Sequence, residues 1–188
     1  MSFVQRRRFL WILFLAGLVL LAVVASATTL ARLRFEDLAN QATAVARLRC
    51  LGAESFWEKG EIWTDTRFEV VEINKGLLSG LVTIRTMGGS VGALRSTIEG
   101  VPAFRQGEEA YVFLWGREGE PYRVLGWSQG TFRIARDART GVEMVTQDSA
   151  AAPVFDPRTH EFRHGGIRNL PVAAFQLKLR KALEEKTP

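Results

Sequence analysis

The chain has 188 residues, of which 47% are hydrophobic, so it can build one proper core and leaves no room for a second catalytic domain. Its formal net charge is +5, but three of the positive charges are Arg6, Arg7 and Arg8, and no acidic residue precedes Glu36. Without those arginines the chain holds 22 basic and 20 acidic residues, a net charge of +2. Nucleic-acid binding therefore loses its main support.

The N-terminus has the three zones of a secretory signal. A basic start is followed by an uncharged apolar run over residues 9–25 and then by the small residues 25–27. Small residues at this spacing form an A-x-A cleavage site, so residues 1–27 are predicted to be a signal peptide that is removed before Thr28. The mature protein is then periplasmic or secreted.

An uncleaved membrane anchor is the alternative interpretation of the same segment. The apolar run is only a little shorter than the ~20 residues that span a bilayer, although Gly17 weakens its middle. In that case the domain would be tethered to a membrane. The arginines also approach the twin-arginine export pattern, but Gln5 and Trp11 depart from it, so general secretion is preferred.

Cys50 is the only cysteine, so the domain cannot close an internal disulfide. The chain also has no Asn-x-Ser/Thr acceptor for N-glycosylation. Both features fit a bacterial periplasm or cell surface better than a eukaryotic secretory route.

The first predicted elements are a short helix over residues 35–41 and a strand over residues 44–51. The strand shows the period-2 alternation of a half-buried sheet, and Cys50 belongs to its inward-facing set. That set is Ala44, Ala46, Leu48 and Cys50. Cys50 is therefore predicted to be a buried structural residue.

Two further strands are predicted over residues 62–73 and 81–86, with a register slip near Glu72. Residues 88–107 are rich in glycine and lack a clear period, so they are predicted to form a long loop. Long loops in compact domains are more often functional than ordinary connections.

The rest of the chain is predicted to complete a mostly β fold. Strand character returns in four short segments, which are residues 110–115, 122–127, 131–135 and 142–146. Short strands at this spacing indicate a barrel or sandwich, and we predict a small barrel domain over residues 28–148. Residues 149–168 are predicted to be an irregular surface segment, and residues 169–188 an amphipathic helix that packs on the barrel.

Three short motifs resemble the OB-fold modules of the tissue-inhibitor-of-metalloproteinase and netrin type, and exported bacterial proteins that share their layout. The motifs are VARL at 45–48, VVEINKG at 70–76 and FRQGEEAYVF at 104–113. In such proteins a lysine-glycine turn ends one strand, and a turn of phenylalanine, glycine and an acidic residue opens the next long one. The resemblance implies a small OB-like β-barrel.

The resemblance does not extend to the inhibitory mechanism. The inhibitors act through an N-terminal cysteine whose free amine meets the zinc of the target, and disulfides lock that cysteine in place. This chain has Thr28 at its predicted mature end and a single cysteine. No functional residue is carried over from the inhibitors.

His160, Glu161 and His164 match the zinc-peptidase motif H-E-x-x-H. On a helix this spacing places two imidazoles on one face for zinc and a glutamate beside them to activate water. Pro157 and the glycines at 165–166 leave at most two turns of helix to hold such ligands. A zinc-dependent hydrolase is therefore kept only as the alternative function, and no cofactor is predicted.

The glycine cluster at residues 88–92 is one of two candidate binding features. Gly88, Gly89 and Gly92 could form a backbone nest for an anion, although the cluster lacks the Lys-Ser/Thr ending of a phosphate loop. A bulged or flexible turn explains the same glycines.

Tryptophans are the second candidate feature, because an exposed indole can stack on a sugar, a peptide or a base. Trp57 is predicted to be exposed in a hairpin, and Trp63 joins it as a candidate contact. Trp115 lies in a strongly apolar segment and is predicted to be core. We therefore expect a non-enzymatic module that binds a protein partner through the Trp57 hairpin and the loop at 88–107.

Overall fold

The computed structural model describes residues 31–151 and 153–185. The predicted signal peptide, residues 1–27, lies outside these ranges. The described chain is mostly β, with one short helix near its start and a second near its end, as predicted. Neither helix has the length and apolar character needed to cross a membrane.

The two helices are α1, Phe35–Gln41, and α2, Val172–Glu184. The longer strands are β1 Ala44–Glu58, β2 Glu61–Lys75, β3 Leu81–Met87, β6 Glu109–Trp115, β8 Thr131–Arg136 and β9 Glu143–Gln147. The shorter strands are β4 Gly89–Val91, β5 Leu94–Ser96, β7 Arg123–Val124, β10 Pro153–Asp156, β11 Glu161–His164 and β12 Leu170–Pro171. Short 3₁₀ turns occupy Trp127–Gly130 and Asp148–Ala151.

One eight-stranded antiparallel sheet forms the body of the molecule, in the order β12-β9-β8-β6-β1-β2-β3 with β7 paired to β6. Tyr122, next to β7, also forms a parallel bridge with Ile84 of β3. Its backbone N–H donates to Thr83 O at 2.8 Å, and its carbonyl accepts from Arg85 N at 2.8 Å. The segment around Tyr122 therefore lies between β3 and β6.

β1 and β2 form a long hairpin of two 15-residue strands, and its pairing is interrupted by bulges. Val71 has no partner between the pairs Arg47↔Glu72 and Leu48↔Val70, which confirms the predicted slip near Glu72. Leu51 is the extra residue in β1, and it lies between the pairs Cys50↔Phe68 and Gly52↔Arg67. An extra residue reverses the inward–outward alternation of the strand that contains it. In β1, odd-numbered residues therefore face inward after Leu51.

A first core fills the inner side of β1, β2, β3, β6 and the segment around Tyr122. The inward set predicted for β1 is buried there, including Cys50, whose exposure is 1%. Phe68 closes this core by packing edge-on against Phe104, with ring centroids 4.9 Å apart. The remaining buried residues include Val82, Ile84, Val112, Leu114 and Val124.

A second core lies on the opposite side of β1 and β6, under the two helices. Phe175 of α2 is fully buried there against Tyr111 and Phe132, with ring centroids 4.8 and 5.2 Å away. Residues 110–114 of β6 are all buried because their alternate side chains enter the two cores. A strand covered on both faces has a continuous apolar sequence, as this one does.

Two segments predicted to be loops contain hairpins, and of the strand predicted over residues 122–127 only Arg123–Val124 is a strand. The stretch 88–107 is not a continuous loop, because β4 and β5 form a small antiparallel hairpin inside it. The stretch 149–168 is not irregular, because it holds the antiparallel pair β10 and β11. Both hairpins have strands of three or four residues, too short to give a readable period in the sequence.

Candidate binding surface

The far end of the β1–β2 hairpin carries the first candidate residue, Trp57. A two-residue turn at Lys59 and Gly60 closes the hairpin, and both residues have positive φ, as in a type I′ turn. Trp57 pairs with Ile62 near this turn and is 51% exposed. The sequence prediction of an exposed Trp57 in a hairpin is confirmed.

A chain of hydroxyl groups fastens the start of β4 to this hairpin. Thr64 Oγ1 donates to the carbonyl of Gly88 at 2.6 Å, and Thr64 and Ser55 are hydrogen-bonded at 2.8 Å. Since the proton of Thr64 goes to the carbonyl, Ser55 is the donor in that pair. The backbone N–H of Ser90 in turn donates to Ser55 Oγ at 3.2 Å. All three bonds thus run in one direction, which lets each hydroxyl both donate and accept.

Gly89 is the position that allows this close approach. A Cβ at Gly89 would overlap the side-chain oxygens of Ser55 and Thr64, and the φ of +134° is one that L residues rarely adopt. Gly92 differs, because it lies in the open turn between β4 and β5 and a Cβ there would contact nothing within 4 Å. The glycine cluster is therefore a docked hairpin. Gly89 is sterically required where the hairpin meets the sheet, and a Cβ at Gly88 would lie 2.9 Å from the carbonyl oxygen of Ser96, whereas Gly92 has no such constraint.

A cavity of about 290 Å³ lies between the β4–β5 hairpin and the inner face of β1 and β2. Its wall is polar on the sheet side, where Ser55, Thr64 and Thr66 contribute hydroxyls, and apolar at Val101 and Phe104. The loop that carries Phe104 is held from the other side by a half-buried ion-pair cluster.

Arg133 of β8 holds this loop in place. Its guanidinium donates to Asp148 and Glu108 and to the carbonyl of Ala103 at 2.7 Å, and it lies 5.1 Å from the Phe104 ring centroid. Burial raises the pKa of Asp148 in spite of its bond to Arg133. The outer rim of the cavity is thereby tied to the far half of the sheet.

Trp63 does not share the surface that Trp57 occupies. Neighbouring residues in a strand point to opposite faces, and Trp63 lies opposite Phe56, one step from the pair that contains Trp57. The guanidinium of Arg123 lies 5.0 Å from the Trp63 ring centroid, and that of Arg85 lies 4.9 Å from the Phe56 ring centroid. Trp63 is thus half-buried under a cation on the outer face of the sheet.

The prediction that Trp115 is a core residue is wrong, because its side chain is 56% exposed. The pairing of β6 with β1 ends at Leu114, so Trp115 lies one residue beyond the part of β6 that both cores cover. Its partner is Arg123 of β7, itself an exposed residue. The apolar sequence of β6 therefore extends one residue beyond the part of the strand that is buried on both faces.

The H-E-x-x-H match does not lie on a helix. His160 is the last residue of the turn after β10 and has a φ of +58°, and Glu161–His164 is strand β11. The helical spacing that would place two imidazoles on one face is therefore missing. Among the residues that the structure describes, no three His, Cys, Asp or Glu side chains come together in a metal-binding group.

A second cavity, of about 810 Å³, was not anticipated from the sequence. It lies where the chain enters the domain, between residues 32–37, the β10–β11 turn and α2, and charged side chains such as Arg34 and Lys178 line it. Gln129 anchors its floor by accepting from Leu33 N and donating to Ala31 O, both at 2.8 Å. Nothing in the spacing of these residues along the chain signals that they meet.

Comparison of the chain with protein-family models, with curated proteins and with solved structures gives no match.

Proposed function

We propose that the chain is an exported, non-enzymatic binding module with an OB-like barrel, and that it holds a protein partner at the end of the β1–β2 hairpin. The observation that carries the proposal is the half-exposed Trp57 beside the docked β4–β5 hairpin. Export is supported by the three zones of the N-terminus.

The barrel part of the proposal is supported by the order in which strands meet. β1 pairs with β2, β2 with β3, β3 with the segment around Tyr122, that segment with β6, and β6 again with β1. Every step is antiparallel except the bridge between Ile84 and Tyr122. The first core lies inside this circuit, and a five-stranded, partly open barrel is the architecture of OB folds.

The surface suits a protein partner better than a small ligand. Small-molecule pockets have volumes of about 300–1,000 Å³ and are mostly apolar. The cavity beneath the hairpin, at about 290 Å³, lies at the lower limit of that range, and seven of its 17 lining residues are serine or threonine. Tryptophan is among the commonest hot-spot residues of protein interfaces. Leu94 of β5, 59% exposed, adds apolar area on the neighbouring hairpin.

The two hairpins are also held before any partner arrives. The hydroxyl chain through Ser55 and Thr64 fixes β4, and Arg133 fixes the loop that follows β5. A pre-formed surface binds without the cost of ordering its own loops.

Affinity capture from cell envelopes tests the proposal, with Trp57→Ala and Trp115→Ala as a matched pair. Both tryptophans are about half exposed, at 51% and 56%, so their loss changes the solubility of the protein to a similar extent. We expect the wild type and Trp115→Ala to retain the same partner, and Trp57→Ala to lose it. Equal retention by both variants, or no partner for the wild type, would refute the proposed function.

A further inference from the structure

The outer half of β1 is an unpaired sheet edge. β6 pairs with β1 only over residues 44–49, and residues 107 and 108 add backbone bonds to Cys50. Beyond Cys50, no residue in the described part of the chain forms a backbone hydrogen bond with β1 on the side away from β2. The open stretch, residues 52–58, is about 23 Å long at ~3.3 Å per residue.

Hydrogen-bonded and non-hydrogen-bonded pairs alternate along the antiparallel ladder of β1 and β2, and this alternation determines which backbone groups face the open edge. Gly88 N donates to Ile62 O at 2.7 Å, so the Ile62 carbonyl points away from β1. The pair Trp57↔Ile62 is therefore a non-hydrogen-bonded pair. The pairs Ser55↔Thr64 and Ala53↔Thr66, two and four residues earlier in β1, are of the same kind. Ala53, Ser55 and Trp57 consequently direct their N–H and C=O groups outward.

Such an edge is a template for another strand, and proteins usually blunt it with proline, charged side chains, a β-bulge, a covering segment or an inward charge. Residues 52–58 contain no proline. Ala53, Glu54, Trp57 and Glu58 are exposed, and the β4–β5 hairpin lies over the face of the sheet, where it bonds the Ser55 side chain rather than the Ser55 backbone. In the described part of the chain, the outward N–H and C=O groups of Ala53, Ser55 and Trp57 form no hydrogen bond.

We infer that the partner binds this edge by strand addition, through an extended segment that carries basic residues at alternate positions. This inference rests on the proposed function and adds the mode of binding and the chemistry of the partner. Three outward-facing residues offer six backbone hydrogen-bonding groups, enough for a segment of about five or six residues. Trp57 then contacts side chains on one face of the added strand.

The preference for basic residues comes from the other face of the edge. Glu54, Phe56 and Glu58 alternate there, opposite the face of Ser55 and Trp57. Glu54 forms no ion pair with any described residue, and Glu58 has only a 3.7 Å contact with Arg85, whose stronger pairing is with Asp65 at 2.7 Å. An added strand places lysine or arginine directly opposite these carboxylates, where unlike charges stabilise and like charges destabilise.

Two capped eight-residue peptides of opposite charge test the inference: alternating lysine and valine, and alternating glutamate and valine. Each peptide is titrated into the protein in its natural form, with the N-terminal segment absent if the cell removes it, and binding is followed by NMR. We expect the lysine peptide to bind about fivefold or more tightly than the glutamate peptide, as two cross-strand charge pairs, favourable for lysine and unfavourable for glutamate, allow. Amide exchange should slow at Ala53, Ser55 and Trp57.

Backbone variants separate strand addition from side-chain contact. Ala53→Pro removes an outward N–H without removing a bond to β2, whereas Ala53→Ser keeps that N–H. We expect the proline variant to lose the lysine peptide and the serine variant to bind as the wild type does. Should the proline variant fail to fold, Glu54→Lys with Glu58→Lys serves instead and is expected to reverse the preference between the peptides.

The outcomes distinguish this inference from the proposed function. If an envelope partner is captured through Trp57 but Ala53→Pro retains it and neither peptide protects the edge, strand addition is wrong and the binding module stands. If the lysine peptide protects the edge while no envelope partner depends on Trp57, the edge accepts an added strand and the proposed function is wrong. A solution dimer that Ala53→Pro dissociates would assign the edge to a second copy of the chain and overturn the inference.

Discussion

Replacing Gly89 by alanine is expected to detach the β4–β5 hairpin from the sheet while the two cores stay intact. The new Cβ would overlap the hydroxyls of Ser55 and Thr64, which are the groups that bind Gly88 and Ser90. The side chain therefore competes with the bonds that dock the hairpin. Gly92→Ala is the matched control, since its Cβ would enter open space.

The expected magnitudes follow from the two geometries. At Gly92, φ is +59°, so alanine costs about 1–2 kcal/mol for the left-handed conformation alone. At Gly89, φ is +134°, a sparsely populated region that costs about 1–3 kcal/mol. Loss of the two hydrogen bonds that Thr64 and Ser55 form with Gly88 and Ser90, at about 0.5–1.5 kcal/mol each, adds to this figure. Detachment of the hairpin limits the total, so we expect about 3 kcal/mol for Gly89→Ala.

Urea unfolding gives the free energies of both variants, and amide hydrogen exchange locates the change. In Gly89→Ala, protection should fall at Gly88 and Ser90 and remain at Val112 in the middle of the sheet. Equal destabilisation by the two alanine variants would refute the reasoning, because it would mean that the Ser55 and Thr64 hydroxyls do not constrain position 89.

Three further predictions follow from the same structure. Burial raises the pKa of the Cys50 thiol, so it should react slowly with a thiol reagent until urea is added, and Cys50→Ala should cost ~1 kcal/mol; rapid labelling of the native protein would place Cys50 at the surface. Burial opposes ionisation of Glu109, but hydrogen bonds from Arg49 and Arg47 outweigh it and lower its pKa below 4.5. The ionised carboxylate therefore stabilises the fold above its ordinary pKa, and this effect is lost as the pH falls through the lowered pKa. In urea unfolding, the stability deficit of Glu109→Gln relative to the wild type should be largest at neutral pH and shrink as the pH is lowered through the acidic range; a deficit that does not change with pH would contradict this. The intact mass of the exported form should be about 3 kDa below that of the full chain, at roughly 110 Da per residue before Thr28, whereas recovery of the full chain only in membranes would indicate an anchor.

The sequence predicts the elements whose burial has a local period. The alternation of Ala44, Ala46, Leu48 and Cys50 predicts the inward face of β1, and the amphipathic pattern of residues 169–188 predicts the C-terminal helix, whose Phe175 and Leu179 are buried. Both patterns are read within one element, so no knowledge of the neighbours is needed.

The parts that sequence reasoning missed depend on neighbours far along the chain. β1 continues to Glu58 although the alternation breaks at Leu51, because pairing with β2 carries the strand across the bulge. Trp115 is exposed because β1 ends its pairing one residue earlier. In the candidate site, Trp57 and the glycines were recognisable by type, but the Ser55 and Thr64 hydroxyls that join them were not, since serine and threonine are common in exposed strands and carry no distinguishing pattern.

The burial of β1 and β6 on both faces has a consequence for how the protein unfolds. Val45 and Ala46 are neighbours in β1, yet one packs under the helices and the other packs inside the first core. Losing the helical layer would expose one side of the strands that the first core needs, so neither layer can melt alone at low cost. The amides of Val45 and Val112 should therefore exchange only through global opening, with the free energy that unfolding measures for the whole domain. A truncation before α2 would then remove the cooperativity of the sheet as well as the helix, which makes the C-terminal helix a poor place to divide this chain.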